Sequence, residues 1–302
     1  MPRVLITGAS SGVGAAAARA FAAAGADVAL VARSEPGLQR VADVVRGHGA
    51  RALVLPLDVT DQAALVAAVE RVEREWGGVD VAVSNAAAMA FGPFARVPKE
   101  DFDRTVEVTF LGAVNLVRAV LPALERTGGT LVITGSINAF TPLPGFAAYA
   151  ASKHALRSFV RSLRIELRAS RSRVRVAIVN PGAIDTPVWR SVTSATGRLP
   201  RRPPQGYSAD AIARALVAVA QHPRKEMVIG AEAKFWQTIW RIRPLDDLVL
   251  GLVFRWYMSG RRPARENPLW EPSGDGRSDG PLVGRPSLWG PIRVRLPWPP
   301  GR

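Results

Sequence analysis

The sequence predicts an α/β fold: a doubly wound parallel sheet of about seven strands, followed by a helical extension and an irregular tail. Three observations predict it. Short β-branched runs alternate with Ala-rich helical stretches. Most of those runs are apolar without a break, which is how strands covered on both faces read. The first run ends in a Gly-rich turn that opens a helix, the place where parallel sheets hold ligands at their C-terminal edge.

The strand runs are residues 3–7, 27–32, 51–57, 79–84, 130–134, 174–179 and 226–229. Between them the helical periods fall at 13–24, 36–48, 61–76, 98–125, 147–169 and 209–221. The regular pattern ends near Ile229, which divides the chain into a domain over 1–234, an extension over 235–258 and a tail over 259–302. In the extension, Leu245, Leu248, Val249, Leu252, Val253 and Trp256 share one helical face. That face suits packing on the core or on a partner subunit; peripheral contact with a membrane surface is the less favoured reading. In the tail, 16 of 44 residues are Gly or Pro, which predicts extended or disordered chain.

Composition narrows the function classes. The chain has no cysteine, so disulfides, thiolate metal sites and cysteine nucleophiles are excluded, and no metal site is expected. No leader-like segment and no run of about 18 apolar residues is evident, which predicts a cytoplasmic protein. The net charge is +15. It divides into 29 Lys/Arg against 19 Asp/Glu up to residue 240 (net +10) and 11 against 6 beyond it (net +5). An excess spread in this way, with no accompanying motif, reads as a solvated surface rather than a nucleic-acid interface.

The turn Thr7-Gly8-Ala9-Ser10-Ser11-Gly12-Val13-Gly14 aims backbone N–H groups and a positive helix end at an anion. Gly8 permits the tight turn, Gly12 lets backbone approach a pyrophosphate, and Gly14 allows the helix to pack closely. Farther on, Tyr149 and Lys153 stand four apart in a helical pattern and so share a face. A nearby ammonium favours a phenolate, so the pair makes a sensible proton-transfer device, with the phenol expected below its usual value near 10. Ser136 comes thirteen residues before Tyr149, just past a strand, at the same sheet edge.

On these residues the chain resembles the short-chain dehydrogenase/reductase family over roughly residues 3–230. The resemblance implies a single-domain Rossmann-type fold with Ser136, Tyr149 and Lys153 as the catalytic set. Tyr149 would exchange the proton with the substrate oxygen, Ser136 would hold that oxygen, and Lys153 would also hold the nicotinamide ribose. The turn residues Gly8, Ser10, Ser11, Gly12, Val13 and Gly14 would carry the cofactor phosphates. Asp58 and Val59 resemble the family's adenine-contacting pair, although Thr60-Asp61 also makes this stretch an ordinary helix start. Asn85 and Ala86 follow the fourth strand, and Pro181, Gly182, Ile184 and Thr186 match the family's nicotinamide-pocket turn.

The second strand ends at Ala32 where an acid would hold the ribose hydroxyls, and Arg33 follows, a cation suited to a 2′-phosphate. NADP(H) is thus the favoured cofactor, with NAD(H) as the alternative. Two positions depart from the family's pattern: Ala87 replaces a glycine, and Thr109 stands where many relatives carry a proton-relay asparagine. Asn115, six residues on, fits a structural position. Residues 187–207 match the family's lid. Phe140, Leu143, Phe146, Met89, Phe91 and Trp189 predict a hydrophobic carbonyl or alcohol substrate. Helices 98–125 and 147–169 build dimer or tetramer interfaces in the family, with Arg157, Arg161, Arg164 and Arg168 as a solvated edge. The rival reading is a non-catalytic dinucleotide-binding or sensing protein on the same fold; an epimerase or dehydratase would need a sugar-nucleotide domain that the chain does not display.

Overall fold

The computed structural model describes residues 1–190, 192–201, 206–230, 245–260, 262–264, 267–272 and 274–278. The first half of the extension and the tail beyond residue 278 lie outside these.

In chain order, β1 (Arg3–Thr7), α1 (Gly12–Ala23), β2 (Asp27–Ala32), α2 (Glu35–Gly47), β3 (Ala52–Pro56), α3 (Gln62–Trp76) and β4 (Val81–Ser84) form the first half. A two-residue β5 (Ala90–Phe91) follows, then α4 (Lys99–Val106), α5 (Gly112–Thr127), β6 (Thr130–Thr134), α6 (Ala147–Ala169) and β7 (Arg175–Pro181). The short strands β8 (Ile184–Asp185), β9 (Thr193–Ser194) and β10 (Tyr207–Ser208) precede α7 (Ala209–Gln221), β11 (Glu226–Ile229) and α8 (Leu245–Met258).

Seven strands form one parallel sheet in the order β11-β7-β6-β4-β1-β2-β3. Side chains alternate across each strand, so two apolar layers form at once. Val4, Ile6, Val28 and Leu30 enter the layer under α1, α2 and α7. Leu5, Ala29 and Val31 enter the layer under α3, α5 and α6. Every residue of β2 is therefore buried, which accounts for its unbroken apolar run. Ala15 to Ala18 are all buried in α1, which packs against α7. The strand order reverses between β1 and β4, and the crevice outside their C-terminal ends is where doubly wound sheets bind ligands.

The helix expected over 98–125 is interrupted. Residues Glu107–Leu111 form a π turn between α4 and α5, an inserted feature that often marks functional sites. The run Lys99–Thr127 is long and apolar enough to cross a membrane by length and composition, but more than half of its most apolar window is buried inside the fold. It is a core helix by its packing.

The face expected for α8 is only partly the buried one. Leu250 and Tyr257 are 8% exposed and Val253 packs beside them, whereas Leu248 and Leu252 remain 65% and 57% exposed. The helix rests on a third apolar cluster built from Phe91, Phe146, Val192 and Leu199. The lid segment is pinned at both ends: β9 pairs with β5, and β10 pairs with β8. The tail is not featureless either. Residues 267–272 and 274–278 return over the C-terminal edge of the sheet and dock beside β2 and α1.

Candidate active site

The crevice at the switch point has a volume of about 1930 Å3. Ligand pockets commonly span about 300–1,000 Å3, so this one has room for two ligands side by side. At one end lie the β1–α1 turn, Ala32, Arg33, Asp58 and Val59; at the other lie Ser136, Tyr149, Lys153 and the apolar residues of the lid and α8.

The turn is built around close backbone approach. A Cβ on Gly14 would overlap the carbonyl oxygen of Gly8, and one on Gly8 would lie 2.9 Å from the backbone of Ala86. Gly8 also takes φ +68°, a left-handed conformation that L side chains resist. Asn85 closes this corner, donating its backbone N–H to Thr7 Oγ1 at 3.0 Å and its amide to Gly8 O at 3.4 Å. Ser11 caps α1 without a side-chain hydrogen bond, and no acidic residue lies in the first turn. The positive end of a twelve-residue helix thus faces the crevice and suits an anion, with the Gly12 N–H already donating to Arg277 O at 2.8 Å.

Ser136, Tyr149 and Lys153 line the same wall. Lys153 is buried and donates Nζ to the Thr134 carbonyl at 2.8 Å, with Nζ 5.5 Å from the centroid of the Tyr149 ring. Burial pushes Lys153 down to about 8. The expected lowering of Tyr149 is not what the geometry gives. Burial pushes the phenol up to about 12, and only its hydrogen bond with Ser136 acts in the other direction. Desolvation is the larger effect at the phenol and prevails over the bond with Ser136.

Ser136 is positioned by residues that the sequence reading did not single out. Its backbone N–H donates to Asn180 Oδ1 at 3.2 Å, and its Oγ accepts from the Asn138 N–H at 3.1 Å. Asn180 is fully buried and donates to Glu226 Oε1 at 2.9 Å, which also accepts from Arg157 Nε at 2.7 Å. Arg157 is therefore tied into this chain of bonds while its side chain stays 41% exposed. Phe140 stacks on its guanidinium at 4.1 Å instead of facing substrate. Phe91 lies behind Phe146, ring centroids 5.0 Å apart. Met89, Leu143, Phe146 and Trp189 do line the crevice, joined by Trp256 and Tyr257 of α8, with Trp189 and Tyr257 stacked.

Pro181, Gly182, Ile184 and Thr186 border the crevice beside the turn, and a Cβ on Gly12 would sit 3.6 Å from the Thr186 side chain. Asp58 also borders it, but its carboxylate is committed: Oδ1 accepts from the Thr60 N–H and hydroxyl at 2.9 Å, and Oδ2 pairs with Arg104. These bonds hold it below the usual carboxylate range against the opposing effect of burial. The helix cap next door is Asp61, which accepts from Ala64 N–H at 2.9 Å. Asn115 donates to Val59 O and is structural. Thr109 is buried, and its hydroxyl both donates to Ala88 O and accepts from Ala88 N–H, each at 3.0 Å. Its single donor is thereby committed to the β4 loop. Ala87 is exposed within the crevice, so its methyl group meets no protein atom that must yield. Arg33 donates to four carbonyls of residues 268–271, the nearest at 2.6 Å and 2.9 Å. Among the described residues there is no cluster of side chains able to hold a metal ion.

Comparison with known proteins agrees with this geometry. A family model described as short chain dehydrogenase matches residues 2–197. The uncharacterized oxidoreductase YxnA of Bacillus subtilis is 31% identical over 282 residues, covering 91% of this chain and 79% of that protein. Oxidoreductase UcpA of Salmonella typhimurium is 36% identical over 190 residues, covering 62% and 71%. Among solved structures, an alcohol dehydrogenase from the archaeon Thermococcus sibiricus complexed with 5-hydroxy-NADP is similar with a TM-score of 0.65 and 29% identity, over 76% of this chain and 96% of that one. A 3-ketoacyl-ACP reductase from Sinorhizobium meliloti gives a TM-score of 0.66 and 29% identity, over 76% and 97%.

Proposed function

The chain belongs to the short-chain dehydrogenase family, and from that premise we propose that it is an NAD(P)(H)-dependent oxidoreductase acting on a hydrophobic carbonyl or alcohol. The single observation that carries the reading is the convergence of Ser136, Tyr149 and Lys153 with the phosphate turn on one crevice.

The nicotinamide cofactor supplies the hydride when bound. The β1–α1 turn and the positive end of α1 would receive its phosphates, and Pro181, Gly182, Ile184 and Thr186 would flank its nicotinamide end. Ser136, held by Asn180, donates a hydrogen bond to the substrate oxygen. Tyr149 moves a proton to or from that oxygen. Burial holds the phenol at about 12, so it carries its proton across the neutral range. Lys153, whose Nζ lies 5.5 Å from the Tyr149 ring centroid, would hold the cofactor ribose. The apolar wall of Met89, Leu143, Phe146, Trp189, Trp256 and Tyr257 supports a hydrophobic substrate and excludes water from the reacting carbon.

NADP(H) is the favoured cofactor because β2 ends at Ala32, with no carboxylate to repel a 2′-phosphate. The solved relative with 5-hydroxy-NADP is consistent with it. The exposed apolar side chains Leu111 and Ile165 on the α4–α5 and α6 faces support a homo-oligomer.

The test is titration with NADPH and NADH, followed by carbonyl and alcohol screening through the absorbance of the reduced nicotinamide. Binding of at least one cofactor and turnover of an apolar carbonyl are expected. Tyr149→Phe should abolish turnover and leave cofactor binding intact; turnover unaffected by it would refute the mechanism.

A further inference from the structure

The family match ends at residue 197, yet the adenosine end of the crevice is bordered by residues 267–272 and 274–278. This strap docks by its backbone. Gly276 N–H donates to Ser10 O at 2.9 Å and Gly12 N–H donates to Arg277 O at 2.8 Å, a two-bond ladder along the phosphate turn. Ser34 Oγ donates to Gly274 O at 2.9 Å and Arg40 Nε to Asp275 O at 2.8 Å. The fit leaves no room for side chains. A Cβ on Gly274 would lie 2.5 Å from Ser10 Oγ, one on Gly276 2.9 Å from Arg40 Cβ, and one on Gly37 2.6 Å from Gly274 O. Both strap glycines also take positive φ, +130° and +78°.

The other end is fixed by side chains. Leu269 is 1% exposed, and its carbonyl accepts from Arg33 at 2.9 Å and from Arg104 at 3.3 Å. Trp270 donates Nε1 to Asp101 Oδ1 at 2.8 Å. Thr193 of β9 donates to Asn267 Oδ1 at 2.7 Å, which ties the strap to the lid. The strap takes the Gly12 N–H but does not fill the crevice: Ser10, Ser11, Val13 and Asp58 line the same space.

We infer that this strap is the outer wall of the adenosine subsite, and that Arg33 is a positioning residue that anchors it. The closed strap retains the adenosine half of a nicotinamide dinucleotide and slows its release. Arg33 then acts on NADPH and NADH alike, since its guanidinium faces strap carbonyls and not a 2′-phosphate. The inference rests on the dinucleotide reading of the site.

The experiment measures dissociation constants and release rates of NADPH and NADH for the full chain and three full-length variants: Gly274→Val combined with Gly276→Val, Trp270→Ala, and Arg33→Gln. Circular dichroism checks that each folds; Trp270→Ala and Arg33→Gln leave the sheet and both cores untouched. Each variant is expected to weaken both cofactors by about tenfold, the scale of losing one or two hydrogen bonds of closure, mainly through faster release. The ratio of NADPH to NADH affinity should stay the same in Arg33→Gln. Unchanged release in all variants would overturn the wall, and tighter binding would make the strap a plug instead. Loss confined to NADPH in Arg33→Gln would make that residue a phosphate clamp. Failure of the unaltered chain to bind either cofactor would sink the dinucleotide reading itself.

Discussion

Asn180 Oδ1 accepts the backbone N–H of Ser136 at 3.2 Å, so the residue proposed to hold the substrate oxygen is set by a side chain from the neighbouring strand. The same asparagine is braced by Glu226 on the edge strand β11. Asn180→Ala should lower kcat by about 10- to 100-fold, the scale for a misplacement near 1 Å, and leave cofactor affinity unchanged. Glu226→Gln keeps an oxygen for Asn180 Nδ2 and Arg157 Nε but loses the acceptor for Arg157 Nη2, and should cost less than Asn180→Ala. Steady-state kinetics with direct cofactor titration separates the effects; equal losses in kcat and cofactor binding would show a collapsed strand instead.

Lys153 connects the site to stability. Burial disfavours its ammonium and pushes Lys153 down to about 8, below the ordinary lysine value of 10.5. Below pH 8 both folded and unfolded chains carry the proton, and the cost of the buried charge is present in full. Between about 8 and 10.5 the folded chain loses the proton first, and the cost fades. Lys153→Met should therefore be more stable relative to the parent at pH 7 than at pH 10. Thermal midpoints across that range test it, and a constant gap would contradict the assignment.

Thr109 should behave as a structural clamp. Thr109→Val removes both bonds to Ala88 and should destabilise the fold by about 1–3 kcal/mol, the cost of leaving buried backbone groups unpaired. Thr109→Ser retains the hydroxyl and should recover most of the loss. Chemical denaturation of the pair checks this.

The two small residues of the turn region should respond in opposite ways. Gly14→Ala drives a methyl group into Gly8 O and should cost about 1–3 kcal/mol together with most of the cofactor affinity. Ala87→Gly removes an exposed methyl group and should change stability by no more than about 0.5 kcal/mol. Melting curves and cofactor titration of both variants provide the comparison.

What the sequence disclosed follows from what sets each pattern. The runs at 3–7, 27–32, 130–134 and 226–229 coincide with β1, β2, β6 and β11; for the first three, burial on both faces leaves a local apolar signature, whereas the edge strand β11 is mostly half-buried. The π turn at Glu107–Leu111 was not legible, since Thr109 is bound there by Ala88, which lies 21 residues earlier. Arg157 belonged to a regular Arg stripe; nothing in that spacing points to Glu226, 69 residues later. The tail's Gly and Pro content is shared by disordered chain and by irregular chain docked through its backbone. Gly274 and Gly276 fall in the second class because Ser10 and Arg40 leave no space for a Cβ. The rise of Tyr149 was hidden for a related reason: an i, i+4 spacing fixes a shared helix face and says nothing of solvent.

The contact between Arg33 and Leu269 spans 236 residues of chain. By the time residue 266 leaves the ribosome, all seven sheet strands, both apolar layers and every side chain of the proposed proton-transfer set have already been made. Among the described residues, those still to come form the wall of the adenosine end. Since domains begin to fold during synthesis, the sheet and its switch point can assemble first and the ligand crevice acquires its last side afterwards. In order of manufacture, chemistry precedes enclosure.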